Sequence, residues 1–415
     1  MRSMSVSLPR QWILGSRDFS FLLSTRFLVV FATQIQAVAV GWLLYSIKQD
    51  PLYLGLIGLA EVMPALTFAL VSGWIVDRSR PLFVYRMAIL CSALSAGLLV
   101  FISGDASFVS LGMKVFGIFF AAFLTGFARS FISPAQFSIL PLTVPREFLG
   151  KATAWSSSLV QVSSLAGPAF GGFLYAFAGA RGVFGFVLTI LLLAQFTARE
   201  LQQGREKRKV QTNSSPGFFS GVQFVFAHQI ILAAMSLDMF AVLFGGATAL
   251  FPIFARDIFS NGPVGLGFLR ASMPFGSFLM GWFLIRFPIS RFSGKSLLIA
   301  FCGFGLSIFG FGLSHSFILS CALLVLTGMC DSVSMVTRQT ILQMSTPPEM
   351  RGRVASVSSI FIGSSNEIGA FESGLAAKVL GLRPSILFGA SMTILVVVIT
   401  WFRAPKLRKL KMSDL

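Results

Sequence analysis

The chain has 415 residues, of which 55% are hydrophobic and only 12% are charged. A soluble protein of this length carries about twice that charged fraction, so the composition argues against a soluble protein. The net charge of +18 would suggest a nucleic-acid partner in a soluble chain, but here the position of the basic residues decides what it means.

Apolar segments long enough to cross a bilayer as helices recur along the whole chain. We predict twelve of them, which makes the chain an all-α membrane protein with twelve transmembrane helices. The predicted segments are 19–47, 52–76, 83–103, 109–131, 152–178, 183–198, 230–254, 266–287, 297–313, 317–336, 354–377 and 385–402.

The basic residues are distributed unequally between the predicted connections. If the N-terminus is cytoplasmic, both termini and the even-numbered connections hold most of the arginines and lysines. The opposite side holds only Lys48, Lys114, Arg181, Arg256, Arg270, Lys378 and Arg383. The positive-inside rule then predicts a multi-pass protein of the cytoplasmic (inner) membrane with both termini in the cytoplasm. The excess charge would face anionic lipid headgroups, so no nucleic-acid partner is needed to explain it.

The longest polar stretch follows the sixth predicted segment. It is rich in basic residues and ends in a run of small polar ones, which is typical of a solvated linker. It divides the chain into a first six-helix half (1–198), a cytoplasmic linker (199–217), a second six-helix half (218–403) and a basic tail (404–415).

One sequence phrase occurs once in each half. Pro145, Glu147, Gly150 and Lys151 recur as Pro347, Glu349, Gly352 and Arg353, and in the same register Gly167 and Gly172 fall on Gly369 and Gly374. Because both copies begin on the same side, the halves are predicted to be parallel repeats, an arrangement found in secondary transporters.

Several motifs resemble those of the major facilitator superfamily. The connection after the second segment carries Gly73, Asp77, Arg78 and Arg80, although Arg80 and Pro81 stand where the family usually has a second glycine and a basic residue. The fifth segment carries Gly167, Pro168, Gly171 and Gly172, which resemble the antiporter motif of the superfamily's exporters. More narrowly, the chain resembles the drug-and-siderophore exporter branch of the superfamily. The residues that carry this resemblance are Gln34, Gln36, Gly41, Trp42, Gly58, Glu61, Pro64, Ser133, Pro134, Gln136, Asn366, Glu367, Gly369 and Glu372.

This resemblance implies two six-helix halves that expose a shared cavity to either side of the membrane in turn. It also implies that Asp77 latches the halves on the cytoplasmic side, and that the glycine–proline segment keeps the cytoplasmic-facing state from leaking. Physically, Pro168 bends its helix, and Gly167 and Gly171 let another helix approach closely. Ordinary membrane packing is the alternative explanation for these residues. For the loop that carries Asp77, Arg78 and Arg80, the alternative is that its basic residues act only as a topological signal that keeps the loop in the cytoplasm.

Charged residues within the predicted spans are the main functional clue, because charge is costly at membrane depth. The candidates for substrate binding or proton coupling are Arg26, Gln34, Gln36, Glu61, Arg129, Asp238, Asp331, Arg338, Glu367 and Glu372. Arg26, Gln34 and Gln36 share one half of the first helix, which we expect to face the cavity. Asp331 and Arg338 share a face of the tenth helix and allow an internal pair.

Three carboxylates, Asp238, Glu61 and Glu367, are the candidates for proton coupling. The alternative for each is a static ion pair with Arg26, Arg129 or Arg338. Glu367 and Glu372 lie about 140° apart on a helix, so we do not expect them to form one site.

Motifs of enzymes and of ATP-driven pumps are missing from the sequence. There is no phosphate-binding loop, no nucleophile elbow and no metal-ligand spacing, so neither an enzyme nor a cofactor nor a metal is expected. The sequence therefore predicts a monomeric, proton-coupled exporter of small amphipathic or aromatic molecules. A dedicated siderophore exporter and a non-transporting membrane sensor or scaffold remain the alternatives.

Overall fold

The computed structural model describes residues 17–104, 110–201, 218–286, 294–347 and 350–410. This described part of the chain is helical and contains no strand. Its α-helices of five or more residues are α1 (Arg17–Lys48), α2 (Pro51–Arg78), α3 (Pro81–Ile102), α4 (Leu111–Thr143), α5 (Leu149–Glu200), α6 (Phe218–Ala227), α7 (Gln229–Phe244), α8 (Gly262–Arg286), α9 (Gly294–Leu313), α10 (Phe317–Met344), α11 (Arg351–Leu380), α12 (Leu382–Arg403) and α13 (Pro405–Lys409).

Nine helical stretches in the described ranges are long and apolar enough to cross a membrane, and one of them, Gln229–Ile258, consists of α7 and the short helical turns that follow it. Another, α5, has 52 residues and is broken at Gly179 into the segments 149–178 and 180–200. The helices α8 and α11 have 25 and 30 residues and are also long enough to cross. Every predicted apolar segment overlaps one of these helical stretches, while the number of crossings itself stays a prediction.

Local sequence sets where several helices begin and end. Asp50 caps α2 by accepting a 2.9 Å hydrogen bond from the Leu52 N–H, and Pro51 fits the first helical position. Gly179 and Gly381 separate consecutive helical segments with φ values of 65° and 92°, which a glycine adopts without strain.

The same helix packing occurs twice in the chain. In the first half (α1–α5), a Cβ atom built on Gly126 of α4 would lie 1.9 Å from the Glu61 carbonyl oxygen of α2. In the second half (α6–α12), a Cβ on Gly328 of α10 would lie 1.9 Å from the Met273 carbonyl oxygen of α8. Gly126 and Gly328 are equivalent in the register set by the repeated sequence phrase. The repeat read from the sequence therefore also describes how helices pack within each half.

The halves meet closely at one end of the bundle, where α1 ends and α2 begins. We call this end the far side, and the opposite end, where α1 begins and α12 ends, the linker side. At the far side, Lys378 Nζ of α11 donates to Asp50 Oδ2 at 2.8 Å. Tyr45 of α1 donates to the Asp257 carboxylate of the second half. These contacts close the far side.

Candidate functional site

A cavity of about 650 Å³ lies between the two halves. Residues of all five helices of the first half line it, and Thr248, Ala249 and residues of α8 and α11 line it from the second half. Apolar side chains such as Val29, Ile57, Ile132 and Met273 form part of the wall, next to charged side chains. A cavity with both kinds of lining suits an amphipathic small molecule.

Arg129 of α4 connects the two halves across this cavity. Its Nη1 lies 3.3 Å from Glu61 Oε1 of α2, and its Nη2 lies 2.8 Å from Glu367 Oε1 of α11. The Arg129 side chain is 48% exposed, so this charge cluster faces the cavity and is not sealed between helices. Three of the predicted site residues are therefore brought together, although 68 and 238 residues separate Arg129 from its two partners.

Arg270 is a charged residue of the cavity that sequence reasoning placed wrongly. It was expected among the basic residues outside the spans. In the structure it lies on α8, lines the cavity and interacts electrostatically with Glu61 and Glu367. Its position four residues inside the eighth predicted segment was a signal that could have identified it, because a charge within a span usually faces the protein interior.

The predicted polar face of α1 does line the cavity. Arg26 Nη1 donates to the Ser156 hydroxyl of α5, and Gln34 Nε2 lies 3.3 Å from the Ser164 hydroxyl. Gln36 is 5% exposed and donates to the Thr125 hydroxyl at 3.0 Å, so it mainly joins helices of the first half.

A second charged cluster lies between α7 and α10, outside the cavity wall. Arg338 forms an ion pair with Asp238, and each side chain is 5% exposed. The tenth helix was expected to allow a pair between Asp331 and Arg338, but the hydrogen-bonded partner of Arg338 is Asp238. Asp331 interacts electrostatically with both members of that pair. Glu372 is half-buried on α11 and is absent from the cavity lining, so it lies apart from Glu367.

The glycine–proline motif of α5 packs against two helices at once. A Cβ on Gly167 would lie 2.6 Å from Gln34 Cβ, and one on Gly171 would lie 3.1 Å from Ile35 Cα, so α1 crosses here. Gly172 instead contacts α8, and Pro168 lines the cavity. The motif thus lies where the first half touches both its own α1 and the second half.

The motif at the linker side is described only in part. Gly73 has open space around it, the Arg78 guanidinium lies 4.3 Å from the centre of the Trp74 ring, and Arg80 is exposed. The side chain of Asp77, the expected latch, lies outside the described part of the structure, as does the linker 202–217. Within the described ranges, no group of three or more His, Cys, Asp or Glu side chains could hold a metal ion.

Curated relatives of the chain are membrane exporters. Macrolide efflux protein A of Streptococcus pyogenes is 22% identical over 399 residues, which span 93% of this chain and 95% of that protein. The enterobactin exporter of Shigella boydii is 27% identical over 244 residues, or 58% of each protein.

Solved structures with the same fold are transporters. A bacterial homologue of the lysosomal transporter Spinster, in an inward-facing conformation, matches with a TM-score of 0.73 at 15% identity, over 94% of this chain and 97% of that one. A D-xylose–proton symporter matches with a TM-score of 0.73 at 12% identity, over 92% of this chain and 97% of that one. At such low identity these likenesses show the fold alone.

The family model described as transmembrane secretion effector matches residues 14–415, nearly the whole chain. The predicted superfamily and the all-α membrane fold are confirmed. Transport, and not enzymatic catalysis, is the activity of this family and of the relatives above. The chain belongs to the transmembrane secretion effector family of the major facilitator superfamily, and it is a multi-pass membrane transporter of small molecules.

Proposed function

We propose that the protein exports small amphipathic or aromatic molecules by alternating access, driven by protons. The observation that carries this proposal is the Arg129 cluster. It joins carboxylates of both halves, Glu61 and Glu367, inside a cavity that the halves share. A contact that exists in only one arrangement of two bodies biases the equilibrium between the arrangements.

Protonation of Glu61 or Glu367 would remove a negative charge and weaken the link through Arg129. A proton could in this way change how tightly the two halves hold each other at the level of the cavity. Asp238 is the third coupling candidate, since its pair with Arg338 is more deeply buried than the cavity cluster. In this scheme the protein acts as a monomer, with one cavity between its two six-helix halves.

The proposed orientation places the linker side in the cytoplasm, as the excess of basic residues there favours. The described conformation, closed at the far side, then faces inward and takes up substrate from the cytoplasm or the inner leaflet. The latch proposed for Asp77 would close that side in the opposite conformation, and Arg78 and Arg80 would lie beside it.

The deciding experiment is efflux from proteoliposomes loaded with substrate, with a pH gradient imposed across the membrane. Dyes, macrolides and catecholate siderophores form the test panel, since the relatives include a macrolide efflux protein and an enterobactin exporter. We expect the purified protein to accelerate efflux of at least one panel member, and collapse of the gradient to abolish that acceleration. If no panel member leaves faster than from loaded vesicles without the protein, and none causes proton movement, a sensor or scaffold role is favoured.

A dedicated siderophore exporter is the second candidate, favoured by the 27% identity to the enterobactin exporter. The same panel separates the two functions. Transport of catecholates alone supports the dedicated exporter, and transport of chemically unrelated dyes supports the broader one.

A further inference from the structure

The cavity wall carries more positive than negative charge. Three arginines line it, Arg26, Arg129 and Arg270, against two carboxylates, Glu61 and Glu367. Arg129 forms ion pairs with both carboxylates. Within the described ranges, Arg26 and Arg270 take part in no ion pair.

These two arginines also have unused hydrogen-bond donors. Arg26 uses one nitrogen for the Ser156 hydroxyl, and its Nε is buried without a partner among the described residues. Arg270 Nε is likewise buried without one. A guanidinium offers five N–H donors in a rigid fork that matches the two oxygens of a carboxylate.

An unneutralised cation is costly at the depth of a membrane, so its partner is normally part of the function. Glu61 and Glu367 do not fill that role at close range, because both are already bonded to Arg129. The partner that remains for Arg26 and Arg270 is the molecule that enters the cavity.

We propose, resting on the function proposed above, that the transported molecule is an amphipathic acid. Its apolar body lies against the aliphatic wall of the cavity, and its oxyanion, a carboxylate or a catecholate, binds Arg270. Arg270 lies on α8 of the second half, and its Nη2 would lie 3.7 Å from a Cβ atom on Gly41 of α1, so an acid bound there contacts both bodies that move during transport.

The test compares two dyes that differ only at one group: a xanthene dye with a free carboxylate and its methyl ester. Binding is measured by fluorescence anisotropy on the purified full-length protein in a non-ionic detergent. Efflux is measured separately, in phosphatidylcholine vesicles that contain no net anionic lipid. The binding measurement therefore does not depend on whether the protein exports.

We expect the wild type to bind the acid at least about tenfold more tightly than the ester, the difference expected for one charge-assisted hydrogen bond. Arg270→Gln should remove most of this preference. Arg26→Gln should reduce it less, because Arg26 lies fifteen residues, or about 22 Å, along α1 from the residue that Arg270 approaches. Arg270→Lys should retain part of this preference, because lysine keeps the positive charge but lacks the paired N–H donors of the guanidinium. Arg199→Gln is the matched control, since Arg199 is exposed at the end of α5 and should leave the preference unchanged.

Equal binding of acid and ester by the wild type, or binding of neither, overturns the proposal. An equal loss of both dyes in Arg270→Gln also overturns it, because that result assigns Arg270 a structural role as the counter-charge of Glu61 and Glu367. Arginine-dependent binding of the acid without efflux would support the acidic ligand and contradict export. Efflux of the ester alone would support export and contradict the acidic ligand.

Discussion

Gly172 of α5 packs directly against Gly267 of α8, and a Cβ atom on Gly172 would lie 2.9 Å from Gly267 Cα and 2.3 Å from the Pro263 carbonyl oxygen. The equivalent glycine of the second half, Gly374, packs in the same way against Gly55 of α2, where the corresponding Cβ–Cα distance is 2.9 Å. Two glycine pairs, each containing one of the repeat-equivalent residues Gly172 and Gly374, therefore let the halves touch backbone to backbone and close the far side.

Replacing Gly172 by leucine should hold the far side open, because neither backbone can move away without separating α5 from α8. We expect transport to fall at least about tenfold, the effect of a shift of about 1.4 kcal/mol in the conformational equilibrium. A cysteine at the buried position Leu54, in a background without the native cysteines, should react faster with a membrane-impermeant maleimide added from the far side. Gly185→Leu is the control on the following segment of α5, 180–200, since a Cβ there meets open space. Unchanged labelling in Gly172→Leu would show that these glycines do not control closure.

Replacing Gly167 or Pro168 by leucine tests the other part of the motif. Gly167 allows α1 to cross at Gln34, and Pro168 removes a helix hydrogen bond, so both changes should stiffen or displace α5. We expect membrane insertion at wild-type levels and at least an about tenfold loss of efflux. Insertion is measured by the yield of folded protein after size exclusion, and efflux in proteoliposomes. Normal efflux in both variants would discredit a role of this segment in movement.

The three coupling candidates are tested one at a time with Asp238→Asn, Glu61→Gln and Glu367→Gln. An amide cannot take up a proton in this range, so the variant that replaces the coupling group should export at a rate independent of the imposed pH gradient. The measurement is the initial efflux rate as a function of that gradient. Glu200→Gln serves as the control, because Glu200 pairs with Arg17 at the linker side, remote from the cavity. A wild-type gradient dependence in all three variants would exclude this set of carboxylates.

The ion pair between Asp50 and Lys378 should make closure of the far side sensitive to acid. Partial burial acts to raise the pKa of Asp50. The hydrogen bonds that Asp50 accepts from Lys378 and the Leu52 N–H, together with the positive charge of Lys378, outweigh this effect and hold the pKa below its usual 3.8. The stabilisation of the closed form is therefore fully present above the ordinary pKa, and it is lost as the pH falls through the lowered one.

The effect of this pair should be small, because its side chains are 28% and 48% exposed and exposed ion pairs contribute roughly 0.2–1 kcal/mol. We expect acid to raise far-side labelling of the Leu54→Cys protein by less than about fivefold. Asp50→Asn, which keeps the helix cap, should remove the acid effect. An unaltered acid response in that variant would assign it to another group.

Much of the fold could be predicted because the bilayer imposes its constraint on the sequence one segment at a time. A span must hold a long apolar run and satisfy its own backbone hydrogen bonds, so the segment positions are visible without any tertiary contact. The same reasoning identified Arg26, Glu61, Arg129 and Glu367 as charges that should face the protein interior. The repeated phrase predicted the equivalence of the halves, which the packing of Gly126 and Gly328 also displays.

The sequence by itself determined the class of fold, the sites of helix breakage and most of the charges that need partners. Only the tertiary structure decided which charges meet: Arg129 with Glu61 and Glu367, and Arg338 with Asp238 and not primarily with Asp331. It also showed that Arg270, which the sequence placed on the external side, lines the cavity. The physical reason is that spacing along one helix fixes only which residues share a face, whereas the partner of that face depends on how helices far apart in sequence rotate and pack against each other.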